Sequence, residues 1–492
     1  MARIAVIGAG MGAMAAAARL AVAGNRVTVL ERTDTYGGAV RRYARDGFAF
    51  DTGPGLLRLP AVYRDLFLKT GREPLESCVE TVRVDPAARH VFPDGTVLTL
   101  PNAARGTVRA ALDEALGAGA GERWTELLNR ARDAWETTRR PLLEEPLRDA
   151  PGSRTGPAHD TGYPALRGKG LLRLRRALRT GGASGPTLAE IAADELRDPR
   201  LAALLESYAR VWGLDPAVTP AGAAVLPYLE DSFGTWYVRG GVRTLANALY
   251  ERCRARRVEF RFGAAAAGVR EKDGAAAGVE LADGSLVDAD TVVLGSGPGL
   301  RPGRNEWPSG SARLTVLLAL RGARPEGTPH RTLVHNVRAP GLPGPAGGPP
   351  LTVLRPDDPA LRPDGAHESA VLTVPVPVGA VGDRAAGERI ADGLLAAADA
   401  AGLGLGARVL WREVRTPRDD ERETGAPGGQ VPPPALAGGG GALLQPPNQT
   451  ALRGLYAVGG WAHPGGGLAH AGMSGALATG LIVEGPDWRG SA

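Results

Sequence analysis

The chain has 492 residues, 43% of them hydrophobic and 23% charged, proportions of a globular protein that argue against wholesale disorder and against a multi-span membrane protein. The net charge is +5, yet only three of the 58 basic residues are lysine (Lys69, Lys169, Lys272), an arginine bias without any aromatic-basic motif, so no nucleic acid is expected as a partner. Two cysteines, Cys78 and Cys253, make no disulfide framework and no Cys/His cluster has zinc spacing, which predicts no metal and a reducing, cytoplasmic setting.

In chain order, the β-branched run Ile4–Ile7 reads as a strand buried on both faces. It leads into GAGMGAMAAAARLAVAG. Gly8 permits a tight turn, Gly10 lets backbone amides approach a pyrophosphate, and position 13, here Ala13, is where the helix packs on the strand, with Gly12 adding room. The alanine-rich helix runs to about Ala23, and Arg26–Leu30 forms a second strand that delivers Glu31, an acceptor for ribose hydroxyls. Strand, glycines, helix, strand and acid in this order predict dinucleotide binding, with an unphosphorylated adenosine ribose. The apolar stretch Ile4–Ala18 is too short to cross a bilayer.

Residues 101–235 show helical periodicity, as in Leu188, Ile191, Leu196, Leu201 and Leu204. Within them, Leu166–Thr180 carries six basic residues and no acid, with Leu171, Leu174 and Leu178 on one helical face. That pattern fits either an interfacial helix drawn to anionic lipid or a solvated surface helix. Glu230 is the carboxylate expected in the substrate cavity, with a salt bridge to Arg239 or Arg243 as the plainer reading. Leu314–Leu320, Ala370–Val376 and Val409–Val414 read as strands of a mixed sheet, and the Pro/Gly-rich stretches 338–350 and 427–447 as loops. Near the end, Leu455–Val458 is a strand, a glycine-rich loop follows, and a helix begins near Leu468 with amides free for negative charge.

Further segments carry a family likeness: FDTGP at Phe50–Pro54, LPYLEDSFGTWYVRGGVRTLANAL at Leu226–Leu249, VELADG, ADTVV, TPRDDERETGAPGG from Thr416, and PPNQTALRGLYAVGGWAHPGGGL. With the amino-terminal glycines, they make the chain resemble the phytoene desaturase family, bacterial carotenoid desaturases among the amine-oxidase-like flavoproteins. The resemblance implies FAD. It implies that Gly8, Gly10, Gly12 and Ala13 hold the pyrophosphate turn, Glu31 the ribose with Arg32 beside it, and Gly37 and Gly38 the phosphates. It places Thr52, Gly53 and Pro54 near the flavin, the backbone of Ala266 at the adenine, and Gly459, Gly460, Gly466 and Leu468 along the ribityl chain and ring. Ala39 stands where relatives carry a basic residue, leaving Arg41, Arg42 or the helix dipole for the phosphates; Gly55 stands where Ser or Thr is common, and Arg58 follows.

The expected fold is α/β: a Rossmann-like FAD-binding domain built from 1–100, 236–300 and 450–492, with an inserted substrate domain made of the helical part 101–235 and the mixed sheet 301–449. The expected reaction is desaturation of an isoprenoid or carotenoid-like hydrophobic substrate by hydride transfer to flavin N5, with oxygen or a quinone as acceptor. Contact with the inner face of the membrane would run through 166–180. Glu230 and His463 are the side chains expected at the chemistry, His463 chiefly for positioning. The alternatives are a flavin oxidase or dehydrogenase acting on a smaller, more polar metabolite, and a non-catalytic prenyl-lipid carrier of the same fold.

Overall fold

The computed structural model describes residues 1–102, 105–148, 185–300, 310–342 and 348–490. In chain order, the elements that position the site begin with β1 (Arg3–Ile7), α1 (Met11–Val22), β2 (Arg26–Glu31), β3 (Ala88–Val91), β4 (Val97–Leu100), α2 (Ala120–Arg139), α3 (Pro199–Arg210), α4 (Val225–Phe233) and α5 (Arg243–Ala255). They continue with β5 (Glu259–Phe262), β6 (Thr291–Leu294), β7 (Ser311–Arg321), β8 (Arg331–Val334), β9 (Leu351–Leu354), β10 (His367–Pro377), β11 (Val409–Arg415), β12 (Leu455–Ala457) and α6 (Leu468–Val483).

A five-stranded sheet has the order β12–β6–β1–β2–β5, and every pairing in it is parallel. Both faces of such a sheet are covered, which is why Ile4–Ile7 is apolar without alternation. The covering helices approach unusually closely. A Cβ on Gly12 in α1 would lie 2.8 Å from the Gly459 Cα, and one on Gly475 in α6 would lie 2.6 Å from the Gly12 carbonyl oxygen. Small residues at this crossing bring the first and last glycine loops of the chain side by side.

A second, seven-stranded sheet has the order β11–β7–β10–β9–β8–β3–β4. It is antiparallel except where β8 meets β3. Along β7, Leu314, Val316 and Leu318 pack into an apolar core with Ile390 and Leu394. Strand periodicity turns the intervening residues to the opposite face. The helical part forms its own core around Leu112, Trp124, Leu127, Leu204 and Leu205.

The α/β class, with a parallel sheet and a separate mixed sheet, and the three expected mixed-sheet strands are present, the strands as β7, β10 and β11. The boundary at residue 100 is corrected: β3 and β4 belong to the mixed sheet, because Arg89 of β3 registers in parallel against Thr332 of β8. That partner lies more than 200 residues away, beyond the reach of local periodicity. The basic stretch 166–180 lies outside the described residues.

Alanine in place of an exposed helical glycine stabilises by roughly 1 kcal/mol, but at Gly475 the added Cβ meets α1 backbone. Gly475→Ala is therefore expected to destabilise by about 1–3 kcal/mol. Thermal denaturation checks this, and an unchanged or raised melting temperature would refute the close crossing.

Candidate functional site

The amino-terminal loop has three glycines with three different reasons. Gly8 has φ +90° and its amide donates to Leu30 O at 2.7 Å, so the turn itself demands glycine. Gly12 is required by the crossing with α6, and Ala13 sits against Gly295. Gly10 has an ordinary φ of −72°, and a Cβ there would meet only Gly38 Cα at 3.9 Å. Neither conformation nor packing excludes a side chain at Gly10. What glycine keeps open is the space in front of the α1 N-terminus, whose first turn no side chain caps, leaving its amides for an anion. Gly37, whose amide donates to Ala9 O at 2.8 Å, and Gly38 wall the opposite side.

Glu31 is buried, accepting from Ala9 N at 2.8 Å and from Thr33 N and Oγ1 at 2.9 Å each. Its carboxylate retains lone pairs for ribose hydroxyls. Arg41 donates to Gly38 O at 2.9 Å and Thr33 Oγ1 at 3.2 Å, beside the phosphate wall, whereas Arg32 turns outward to Arg422 O at 2.6 Å. The Ala264 amide reaches Glu31 O at 2.9 Å, and Ala266 opens the next strand, paired with Leu281. The groove from Gly8 through Glu31 thus fits an adenosine diphosphate moiety, and these residues would hold that part of FAD.

The FDTGP segment owes its place to Asp51, which accepts from Val242 N at 2.8 Å and Arg243 N at 3.3 Å at the start of α5. This docking onto the RGGVRTL segment was not foreseen from the sequence. Gly53 leaves no room for a side chain against the Ala39 carbonyl, and Gly460 and Gly466 lie against Pro432. The Ser474 hydroxyl lies 3.1 Å from the Gly459 amide, as its acceptor. Leu468 begins α6, whose N-terminus likewise carries no side-chain cap.

Thr52, Gly53, Pro54, Gly467 and Leu468 meet at a cavity of about 210 Å³. The face of the mixed sheet opposite the Leu314–Leu318 core forms another wall. There Thr315 of β7 registers with Thr373 of β10, and Thr373 with Thr352 of β9. Trp212, Leu226, Leu229 and Leu354 supply apolar surface; Arg58, Arg313 and Arg331 line the same space with no carboxylate among the described lining residues.

Glu230 stands behind this wall rather than in it. Its carboxylate is 2.8 and 3.0 Å from Arg331 Nη1 and 3.0 Å from Arg58 Nη2, and it also bonds the Tyr208 hydroxyl. Burial opposes its ionisation, but the two guanidiniums outweigh that and hold it below the usual carboxylate range. Glu230 is thus a counter-ion for the cavity arginines, not a group at the chemistry. The expected partners are corrected too: Arg239 donates to Asp357 O and Arg243 to Val40 O and Thr35 Oγ1.

His463 also lies elsewhere, its Nε2 3.1 Å from Glu145 O, because the loop turns its fully buried ring toward the helical part. Burial lowers its pKa to about 4. The imidazole on the cavity wall is His470 in the first turns of α6, also lowered to about 4 by burial. His470, Trp212, Arg313 and Arg331 were not singled out from the sequence. The arginine and threonine inside SARLTVLLALR were the available signal, since period-two alternation puts both on the face opposite the core.

Two outcomes follow from this geometry. Gly10→Ala is expected to fold normally but bind FAD roughly tenfold or more weakly, the affinity equivalent of an overpacked contact; retained flavin per protein after gel filtration measures it. Glu230→Gln, which strips the countercharge from the buried Arg331 and the partly exposed Arg58, is expected to cost about 3 kcal/mol at neutral pH. The folded pKa of Glu230 lies below its ordinary 4.5, so its contribution is full above that value and fades as pH falls through the lowered one. Denaturant titrations that give equal stability for wild type and variant at pH 7 would contradict this.

Residues 14–308 match the model of the family described as flavin containing amine oxidoreductase. The chain is 31% identical to the 4,4'-diapolycopene oxygenase of a Methylomonas species, over 59% of this chain but only 55% of that protein's length. To the hydroxyneurosporene desaturase of Rhodobacter capsulatus it is 29% identical, over 98% of this chain and 97% of the other. An oxidoreductase of Methanosarcina mazei shares the fold with a TM-score of 0.64 and 18% identity, covering 96% of this chain and 99% of that one. With more than half its length matched by the family model and an open groove of the right chemistry, this chain belongs to the flavin containing amine oxidoreductases, as a carotenoid desaturase-like enzyme whose cofactor is FAD.

Proposed function

We propose that the enzyme desaturates a long, apolar, isoprenoid-like molecule. The observation that supports this reading is a row of three spaces whose neighbours share apolar wall residues. The inner cavity shares Leu226, Leu229, Pro434 and His470 with a constriction of about 20 Å³ also lined by Trp135, Leu142 and Leu143, which must widen for a chain to pass. That passage shares Trp135 and Leu143 with a groove of about 640 Å³ between α1, α2 and α6, where Phe233, Met473, Leu477 and Val483 face the opening. A chain threaded from groove to cavity gains about 0.8 kcal/mol per buried methylene, enough to hold it without polar contacts along its length.

FAD, when bound, supplies the hydride acceptor. The residues of this chain bind and orient the substrate. Leu226 and Leu229 press on one side and the threonine face of the mixed sheet on the other, excluding water from the reacting carbon. His470, kept neutral by burial, offers an imidazole nitrogen for the proton lost as the double bond forms. Oxygen or a quinone then serves as final electron acceptor. Among the described residues no helix is long and apolar enough to cross a membrane, and the reading places the groove at the inner membrane surface, with the basic segment 166–180 as peripheral contact. A protonated amine is disfavoured as substrate because the charged side chains described on the wall are all arginines.

The test is to co-express the chain with enzymes that make C30 and C40 polyene precursors, and to mix purified holoenzyme with each precursor anaerobically. New conjugated absorption bands with bleaching of the flavin are the expected result. Unchanged precursors of both lengths beside an FAD-loaded protein would overturn the reading.

A further inference from the structure

Arg313 lies on the β7 face opposite the Leu314–Val316–Leu318 core and lines the inner cavity. Its guanidinium carbon stands 5.7 Å from the Trp212 ring centroid, and this contact replaces the hydrogen bonds that the other cavity arginines make. Among the described residues it has neither a hydrogen-bond acceptor nor a carboxylate within ion-pair distance. The buried Trp212 indole nitrogen lacks an acceptor too.

The neighbouring charges do not cancel. Arg58 and Arg331 share the single carboxylate of Glu230. Arg415 holds Asp420 at 3.4 Å and Glu423 at 2.7 Å, and Asp420 is the acid whose field reaches Arg313. Four guanidiniums therefore face three carboxylates, and the positive charge left unmatched belongs to the one arginine without a partner. A half-buried guanidinium on a cavity wall becomes an unpaired cation, strongly unfavourable, once a ligand without negative charge displaces the water there, and nothing in the packing of β7 demands arginine at this position. Its side chain is directed into the space where substrate is bound, with the three-threonine row Thr315–Thr373–Thr352 beside it as further hydroxyl donors.

Building on the reading above, we propose that the substrate is an apolar acid. Its carboxylate pairs with Arg313 beside the threonine row, while its hydrocarbon body runs through the passage toward the surface groove. One surplus charge matches a monoanion, and a phosphate dianion would leave a negative charge uncompensated. The same arrangement rejects a cationic head, and gives a plain hydrocarbon no return for displacing water from the guanidinium.

The experiment uses FAD-loaded full-length protein and all-trans-retinoic acid, with its methyl ester as the neutral control. Binding is read by tryptophan quenching and by perturbation of the flavin spectrum. The acid is expected to bind at least about tenfold more tightly than the ester, as a charge-assisted hydrogen bond implies. Arg313→Met is expected to erase that preference with FAD content and visible spectrum unchanged, and Arg313→Lys to restore part of it. Equal affinity of acid and ester for the wild-type protein overturns the proposal without any variant, and so does a preference that survives Arg313→Met. Loss of FAD in Arg313→Met would assign the side chain to the cofactor instead and also overturn it. A protein that converts hydrocarbon polyenes yet binds acid and ester alike loses only the head-group assignment; one that binds neither and converts no polyene loses the desaturase reading as well.

Discussion

The molecule depends on one close backbone contact, the crossing of α1 and α6 at Gly12, Gly459 and Gly475. A cofactor as long as FAD can be enclosed only if loops from distant parts of the chain are held within a few ångströms of each other. The parallel sheet supplies the alignment, since β6 and β12 line up beside β1 in successive registers. Side-chain-free helix faces then let α6 settle against α1 until Ser474, buried at the crossing, bonds the Gly459 amide. The two helices so brought together both have N-termini without side-chain caps, whose positive dipole ends favour an anion.

The mixed sheet plays the complementary part. Its inner face is committed to an apolar core, so period-two alternation exports whatever is polar to the cavity. Arg313 and Thr315 on β7, Thr352 on β9 and Thr373 on β10 arrive there for that reason. The resulting site has two characters. Near Thr52–Pro54 and Leu468 it carries arginines and hydroxyls; toward Trp135 and Leu143 the lining is mostly apolar, with Thr138 and His470 as the polar side chains described there. Glu230 holds the Arg58 and Arg331 guanidiniums in place from behind the inner cavity's wall.

Several of the sequence motifs prove to join parts of the fold to one another. FDTGP meets RGGVRTL because the Asp51 carboxylate accepts the first free amides of α5. Gly460 and Gly466 keep space for the Pro432–Pro433 segment, which crosses the carboxy-terminal loop at van der Waals distance. These contacts explain why such motifs occur together in one chain: each fills or caps what another leaves open.

From the sequence alone, the βαβ unit with its glycine turn, Glu31 at the end of the second strand, and the carboxy-terminal strand and helix were legible. Each rests on short-range rules: turn conformations, strand and helix periods, and the order of elements within some 30 residues. Which glycines serve packing and which the ligand, the membership of β3 and β4 in the far sheet, the pairing of Glu230 with Arg58 and Arg331, and the choice of His470 over His463 were decided by the tertiary structure. All of these depend on contacts between residues tens to hundreds of positions apart, and a linear pattern records what a side chain is but not what the folded chain brings against it.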